Sequence, residues 1–220
     1  KIIQIGIVII ENGVICQTYE TDVNPHEDLD EHIKQLTGLD DQRLRQAPDF
    51  SQVAREVYEL IEDAIFVAHN VKFDANLLAE ALFWEGFELL TPRVDTVELA
   101  QVFYPTFDKY ALGNLCELLE IPLENAHTAL ADAQATAQLF LKIQEKMAGL
   151  PKALLEKVLE FADSLIYESR LAIEEIFQSM PDYSAQFFQE THGIFLKKPK
   201  ILAPEKKLSQ DFLTNLYLLG

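Results

Sequence analysis

This 220-residue sequence has few cysteines and no long apolar run. Its two cysteines, Cys16 and Cys116, lie far apart with no Cys-x-x-Cys pair, which argues against a zinc site and for a reducing compartment. No apolar run approaches the roughly 20 residues of a membrane-spanning helix, and no signal-peptide pattern occurs. We therefore expect a soluble, cytoplasmic protein that has no membrane partner.

Basic side chains are also in short supply. Lys and Arg number 18 against 36 Asp and Glu, which gives a formal net charge of −18. Such a surface repels phosphate backbones, so the sequence argues against a broad basic footprint for duplex DNA. Divalent cations held by carboxylates can still supply local positive charge. The acidity therefore weakens the case for a nucleic-acid binding module more than the case for a metal-dependent nuclease.

The order of the predicted elements indicates an α/β fold. A β-branched run at 1–10, the turn signal Asn12-Gly13 and a second run at 14–23 predict a β-hairpin. Two short helical turns separated at Thr37-Gly38 come next. The later predicted elements are a helix at 51–62 with Ser51 as its N-cap, a strand at 64–69, a helix from 70, a strand at 93–96, and helices to Met147 broken near Pro105 and Pro122. This order is typical of a mixed sheet with flanking helices.

Residues 149–220 differ in character from the first 148. Positions 152–180 contain neither Gly nor Pro and carry apolar residues at helical spacing. This pattern predicts one long helix or two packed helices, docked on the domain or on a partner segment. Basic runs and several aromatic residues follow and indicate the beginning of a further region. The sequence therefore predicts a domain at 1–148 and a helical extension at 149–220.

A histidine and an aspartate stand at the start of the most regular helical pattern. His127 precedes this helix, Thr128 is a candidate N-cap, and Asp132 lies in the first turn at the margin of the apolar face. A loop imidazole beside a fixed carboxylate can serve as an acid/base and metal-ligand pair. The alternative is a loop histidine and an aspartate that only stabilises the positive end of the helix dipole.

A second aspartate occupies a matching position. Asp74 follows the strand at 64–69 and lies in line with Leu77 and Leu78, so we expect its carboxylate to point towards the sheet. The end of such a strand is where open α/β sheets bind ligands. Two inward carboxylates are costly to bury unless cations neutralise them. A pair of Mg²⁺ or Mn²⁺ ions roughly 4 Å apart would do so and would suit displacement at phosphorus, with a loop histidine as the base.

These residues resemble the DEDDh 3′-5′ exonucleases. The sequence AHNVKFD at 68–74 is similar to the second motif of that family, and His127-x-x-x-x-Asp132 is similar to the third. The resemblance covers about residues 1–147 and implies an RNase H-like fold with two divalent metal ions, Mg²⁺ or Mn²⁺. It also implies that Asp74 and Asp132 are metal ligands and that His127 is the general base. The implied reaction is hydrolytic release of nucleoside monophosphates from the 3′ end of single-stranded DNA or RNA.

Other residues take roles from the same resemblance. Phe73 and Thr37 match positions that contact the terminal nucleotide, although Phe73 also suits the core and Thr37 a turn. His69 is expected to support the site rather than to act in it. Packing or local hydrogen bonding is the expected role of three further residues: Cys116, Trp84 and Asp95.

The first motif of the family, a D-x-E on a central first strand, is not found in this sequence. It is expected just upstream of residue 1, and without that strand the run at 1–10 would present an unpaired apolar edge. We therefore expect the first strand to exist in the molecule and to be missing from the sequence. If it is truly absent, two ligands cannot hold two metals, and the chain is expected to be inactive. The alternative function is then a degenerate, non-catalytic exonuclease fold that acts as a scaffold for a helicase or polymerase.

The extension at 149–220 resembles the segment that joins such exonuclease domains to DinG-type superfamily 2 helicases in Gram-positive bacteria. This resemblance implies a C-terminally fused helicase domain as a partner. The sequence contains no Walker A Gly-Lys-Ser/Thr, so it supports no prediction of ATP use.

Overall fold

The computed structural model describes residues 1–123, 127–181, 188–191 and 194–197 of the chain. Its strands are β1 (Gln4–Glu11), β2 (Val14–Asp22), β3 (Phe66–Ala68), β4 (Arg93–Asp95), β5 (Phe188–Thr191) and β6 (Ile194–Lys197). Its helices are α1 (Glu31–Thr37), α2 (Asp41–Arg45), α3 (Phe50–Ile61), α4 (Val71–Trp84), α5 (Thr96–Phe103), α6 (Leu112–Leu118), α7 (Ala129–Ala148), α8 (Lys152–Phe161) and α9 (Arg170–Ser179). None of the helices in these ranges is long and apolar enough to cross a membrane.

The first two strands form the antiparallel hairpin that the sequence predicts. Asn12 and Gly13 both adopt positive φ, 51° and 73°, as the central residues of a two-residue hairpin turn require. The pairing starts with Gln4 opposite Asp22 and is regular until a shift before Ile10. Within the described ranges, no strand pairs with the other edge of β1.

A second, parallel pair of strands leads into the candidate site. β3 lies beside β4 with Phe66 opposite Arg93, and the helix α4 forms part of the crossover between them. Helix α7 contacts both β1 and β3, so it covers both strand pairs. The antiparallel pair, the parallel pair and the covering helices make the small mixed α/β arrangement that the sequence predicts.

Two apolar clusters hold the helices to these strands. One contains Ile5 of β1 and Val57 of α3, and the other contains Val94 of β4 and Leu139 of α7. Successive side chains of a strand point to opposite faces, so Ile5 enters the first cluster while Gly6 faces α7. Helices therefore cover both faces of β1, which explains why its sequence is a near-continuous apolar run.

The two C-terminal helices pack into the second cluster. Leu155 of α8 and Ile173 and Ile176 of α9 are fully buried there, together with residues of α5 and α7. The apolar stripe predicted at 152–180 thus forms two packed helices docked on the rest of the chain. A domain boundary at residue 148 stays a prediction, and this cluster contains residues from both sides of it.

Three local expectations are wrong. Asp49 rather than Ser51 is the N-cap of α3, because Asp49 and Gln52 form a reciprocal capping box. The strand predicted at 64–69 is shorter, with three residues in β3. Trp84 is 77% exposed rather than packed, since the buried face of α4 passes through Leu82 on the other side of the helix. The hairpin of β5 and β6 was not predicted at all.

Candidate active site

A buried aspartate fixes the start of α4, the helix that carries Asp74. Asn70 precedes this helix with a φ of 69°. Asp95 is 4% exposed, and its carboxylate accepts hydrogen bonds from the N–H groups of Asn70 (3.1 Å) and Val71 (3.2 Å). It also accepts one from Val97 N–H (2.8 Å), which caps α5. One carboxylate therefore satisfies the first donors of two helices.

Asp74 lies in the first turn of α4, beside that capped end. The buried face of the helix passes through Ala75 and Leu78, so Asp74 is exposed at the margin of that face. The expectation that its carboxylate points towards the sheet is therefore wrong. The protein atoms around its carboxyl group raise its pKa, and the negative charges of Asp95 and Asp132 raise it further. The helices that carry Asp74 and Asp132 also both contact β3, so the two predicted metal ligands lie within electrostatic range of each other.

The first turn of α7, which carries Asp132, packs against β1. Ala129 N–H donates a hydrogen bond of 2.8 Å to Gln4 Oε1, 125 positions away in the chain. Gly6 leaves room for this contact, because a Cβ atom there would lie 2.3 Å from Ala129 C and 2.4 Å from Leu130 N. Gln4 and Gly6 thus set the position of this helix. Neither residue was predicted from the sequence, because no local pattern marks a contact between such distant segments.

His127 and Asp132 flank the N-terminus of α7, as predicted. Thr128 is the N-cap, and its Oγ1 accepts a hydrogen bond from Ala131 N–H at 3.4 Å. His127 is exposed and has a φ of 76°, a left-handed conformation that is uncommon for residues other than glycine. Its N–H donates to Asp132 Oδ1 at 3.2 Å. The half-buried Asp132 carboxylate therefore holds the His127 backbone beside it, and the imidazole remains open to solvent.

His69 has a structural role, in agreement with the expectation that it supports the site. Its Nε2 lies 2.8 Å from Tyr110 O, which can only accept, so Nε2 carries a proton. Its Nδ1 lies 2.9 Å from Thr96 Oγ1. Burial lowers the pKa of His69 and so favours the neutral ring. Because both ring nitrogens are engaged within the chain, His69 fixes the segment before α4.

The two predicted nucleotide contacts differ in what surrounds them. Phe73 is 69% exposed beside Asp74, so the alternative of a core residue is wrong. Thr37 ends α1, where its hydroxyl donates to Ile33 O (2.8 Å) and accepts from Leu39 N–H (3.2 Å). These bonds give Thr37 a role in its turn, and a contact with nucleotide stays a prediction for both residues.

Asp74 and Asp132 are oxygen donors of the kind that Mg²⁺ and Mn²⁺ prefer. A cation between them would relieve the repulsion that helps to raise the pKa of Asp74. In the part of the chain that the structure describes, however, no three His, Cys, Asp or Glu side chains form a group that could hold a metal ion. The pair therefore fits part of the coordination of a divalent ion, and two ions need further ligands.

Comparison with known proteins identifies the family. The model of the RNase T family, described as exonuclease, matches residues 1–140, which is more than half of the chain. The chain belongs to this exonuclease family. It is 34% identical over 220 residues to the 3′-5′ exonuclease DinG of Staphylococcus haemolyticus, a match that covers 99% of this chain and 24% of that protein. It is 38% identical over 167 residues to the 3′-5′ exonuclease DinG of Bacillus subtilis, covering 76% of this chain and 18% of that protein.

The chain thus spans about a quarter or less of the length of these curated relatives.

Solved exonucleases share its fold. The nuclease domain of 3′hExo, a DEDDh family member bound to rAMP, is 16% identical with a TM-score of 0.57, and the match covers 65% of this chain and 80% of that one. Exonuclease X in complex with 5′ overhanging duplex DNA is 21% identical with a TM-score of 0.54, covering 65% and 82%. The predicted resemblance is confirmed: the chain contains a DEDDh-type, DinG-like exonuclease domain with an RNase H-like α/β fold.

Proposed function

We propose that this chain forms the catalytic part of a metal-dependent 3′-5′ exonuclease. The proposed substrate is the 3′ end of single-stranded DNA or RNA, and the products are nucleoside monophosphates. The observation that carries the proposal is that Asp74 and Asp132 lie in the first turns of two helices that both contact β3, with the exposed His127 next to Asp132. Membership of the exonuclease family and the names of the DinG relatives support it.

Each of these three residues has a proposed task. Asp74 and Asp132 would bind divalent ions, Mg²⁺ or Mn²⁺, which neutralise charge on the phosphate under attack. Both carboxylates lie in the first turns of packed helices, so they are already placed before substrate binds. His127 accepts the proton of the attacking water. Two ions need more than two ligands, so we propose that activity requires the D-x-E motif of the family in the full-length protein.

The exposed ring of Phe73 supports a single-stranded substrate. It lies next to Asp74 and can stack on a terminal base, which is accessible in a single strand. The formal net charge of −18 disfavours a long contact with duplex backbones. Thr37, at the end of α1, is the second proposed contact with the terminal nucleotide.

The proposal is tested with the full-length protein and single-stranded oligonucleotides labelled at the 5′ end. With Mn²⁺ we expect stepwise shortening from the 3′ end and release of mononucleotides, and we expect neither with a chelator. An oligonucleotide whose 3′ end is blocked by an inverted nucleotide is the matched control and should stay intact. Release of internal fragments, or equal cleavage of the blocked strand, would contradict the proposal.

A degenerate exonuclease fold that acts as a scaffold for a helicase or polymerase is the second candidate. The lack of a three-residue metal-binding group among the described residues favours it. The repulsion between Asp74 and Asp132 argues against it, because a scaffold gains nothing from neighbouring carboxylates that repel each other. A fused helicase domain is the proposed partner in either case, since the DinG relatives are much longer than this chain. The absence of any metal-dependent nucleotide release by the full-length protein would favour the scaffold.

A further inference from the structure

Two side chains from the segment before α9 bind the edge of β4 that faces away from β3. Arg93 N–H donates to Glu168 Oε2 at 2.9 Å, and Asp95 N–H donates to Ser169 Oγ at 3.1 Å. Arg93 and Asp95 are two positions apart, so their N–H groups leave the strand on the same side. β3 pairs along the other edge of β4. The segment between α8 and α9 therefore supplies the hydrogen-bond acceptors that a further strand would otherwise provide.

A carboxylate of α5 holds that segment in place. Ser169 is 0% exposed, and its hydroxyl donates to Glu98 Oε2 at 2.8 Å while it accepts from Asp95 N–H. Glu98 Oε1 also accepts from Ile166 N–H at 2.7 Å. Both hydrogen-bonding directions of the Ser169 hydroxyl are thus used. Loss of this hydroxyl would leave the buried Asp95 N–H without its acceptor. An unpaired buried N–H destabilises the fold by its full desolvation free energy.

These bonds continue to the candidate catalytic helix. The backbone N–H of Asp95 donates to Ser169 Oγ. The carboxylate of Asp95 accepts from Asn70 N–H and Val71 N–H. Those two N–H groups begin α4, and Asp74 follows in its first turn. A continuous line of hydrogen bonds therefore runs from the C-terminal helices to the turn that carries Asp74.

We propose that Ser169 and Glu98 are positioning residues, which set the first turn of α4 through Asp95 and thereby place Asp74. The helical segment C-terminal to the matched exonuclease residues 1–140 then forms part of the support of the site. The consequence for metal binding rests on the proposed function of Asp74, whereas the consequence for the order of α4 does not.

The structural consequence is measured by hydrogen exchange of individual backbone amides in Ser169→Ala. We expect the amides of Asn70 and Val71 to exchange roughly 5 to 30 times faster, since a lost buried hydrogen bond of about 1–2 kcal/mol corresponds to that factor. Ser164→Ala is the matched control, because Ser164 is exposed in the same C-terminal segment and its hydroxyl bonds locally to Phe161 O. Unchanged exchange at Asn70 and Val71 in Ser169→Ala would overturn the proposal.

The functional consequence is measured by the Mn²⁺ concentration that gives half-maximal nucleotide release by the full-length protein. In Ser169→Ala we expect this concentration to rise roughly tenfold, with much of the rate recovered at saturating Mn²⁺, because supports of metal ligands typically change affinity by about 10–100-fold. Ser164→Ala should match the wild type. An unchanged Mn²⁺ requirement in Ser169→Ala, in a protein whose wild type is active, would overturn the positioning role.

Glu98→Gln provides a second variant for the case in which Ser169→Ala unfolds. It keeps the size of the side chain but replaces one accepting oxygen by a donor, which faces donors from Ser169 or Ile166. Faster exchange confined to the start of α4 supports the proposal, and exchange unchanged there overturns it. If exchange changes as expected while the wild type releases no nucleotides, the proposed nuclease function fails and the positioning proposal stands.

Discussion

Replacement of Gly6 by alanine should displace the helix that carries Asp132. The added Cβ would lie 2.3 Å from Ala129 C, 2.4 Å from Leu130 N and 2.5 Å from Ala129 O. All three are backbone atoms, so no side chain can rotate away to make room. Carbon atoms pack at about 3.5–4.0 Å, and the first turn of α7 must therefore retreat from β1 by about 1 Å.

This retreat should lower both stability and activity. Overpacking of this kind costs about 1–3 kcal/mol, which lowers Tm by about 2–12 °C in a protein of this size. It also lengthens the hydrogen bond between Ala129 N–H and Gln4 Oε1, which is 2.8 Å in the structure. A misplacement of about 1 Å near reacting groups can reduce a rate by about 100-fold, so we expect nucleotide release to fall by roughly 10–100-fold.

Thermal unfolding followed by circular dichroism and the rate of nucleotide release measure the two effects of Gly6→Ala. Gly113→Ala is the matched control, because a Cβ at Gly113 would have no atom within 4 Å and alanine favours its helix α6. The control should be as stable as the wild type or slightly more stable. Wild-type Tm and rate in Gly6→Ala would refute the packing of α7 against β1.

Three further substitutions have defined outcomes. Surrounding protein atoms and then neighbouring carboxylates raise the pKa of Asp74, so stability is lost as pH rises through that pKa. Asp74→Asn should therefore raise the Tm of the metal-free protein at neutral pH and abolish stabilisation by Mn²⁺. Ile173→Ala should lower the free energy of unfolding by about 2–5 kcal/mol in a single unfolding transition, whereas the control Ile166→Ala, at a side chain that is 81% exposed, should change it little. Two separate transitions would show that the C-terminal helices fold independently. Burial raises the pKa of Glu175 to about 7, so stability present at low pH is lost as pH rises through that value. Glu175→Gln should therefore show a smaller fall in Tm than the wild type between about pH 5 and 8, and an equal fall in the variant and the wild type would contradict this.

Local chemistry explains which parts of the fold could be predicted. The Asn12-Gly13 turn needs positive φ at two successive residues, and few dipeptides supply it. Thr128 could be assigned as an N-cap because its hydroxyl serves a donor only three residues later. Where two local caps compete, the choice depends on geometry, and the capping box of Asp49 with Gln52 displaced the predicted cap.

Contacts between distant segments account for what the sequence did not reveal. Gln4 holds the start of α7 across 125 positions, and Ser169 reaches Asp95 across 74. Neither residue type is unusual in its local setting, so no pattern marks it. The candidate site could be proposed from the sequence because Asp74, His127 and Asp132 occur in motifs. The exposure of Asp74 could not, because it depends on which side of α4 is buried.

The assignment of His127 as base and Asp132 as metal ligand is tested most directly by nucleotide release from a 5′-labelled single strand at saturating Mn²⁺. The full-length protein is compared with His127→Ala, Asp132→Asn and the control His32→Ala, an exposed histidine of α1. Asparagine at 132 keeps an oxygen for the His127 N–H, so the start of α7 is retained. We predict that the first two variants lose activity by about 100- to 10,000-fold while remaining folded and that His32→Ala keeps it. Full activity in either His127→Ala or Asp132→Asn would contradict the account.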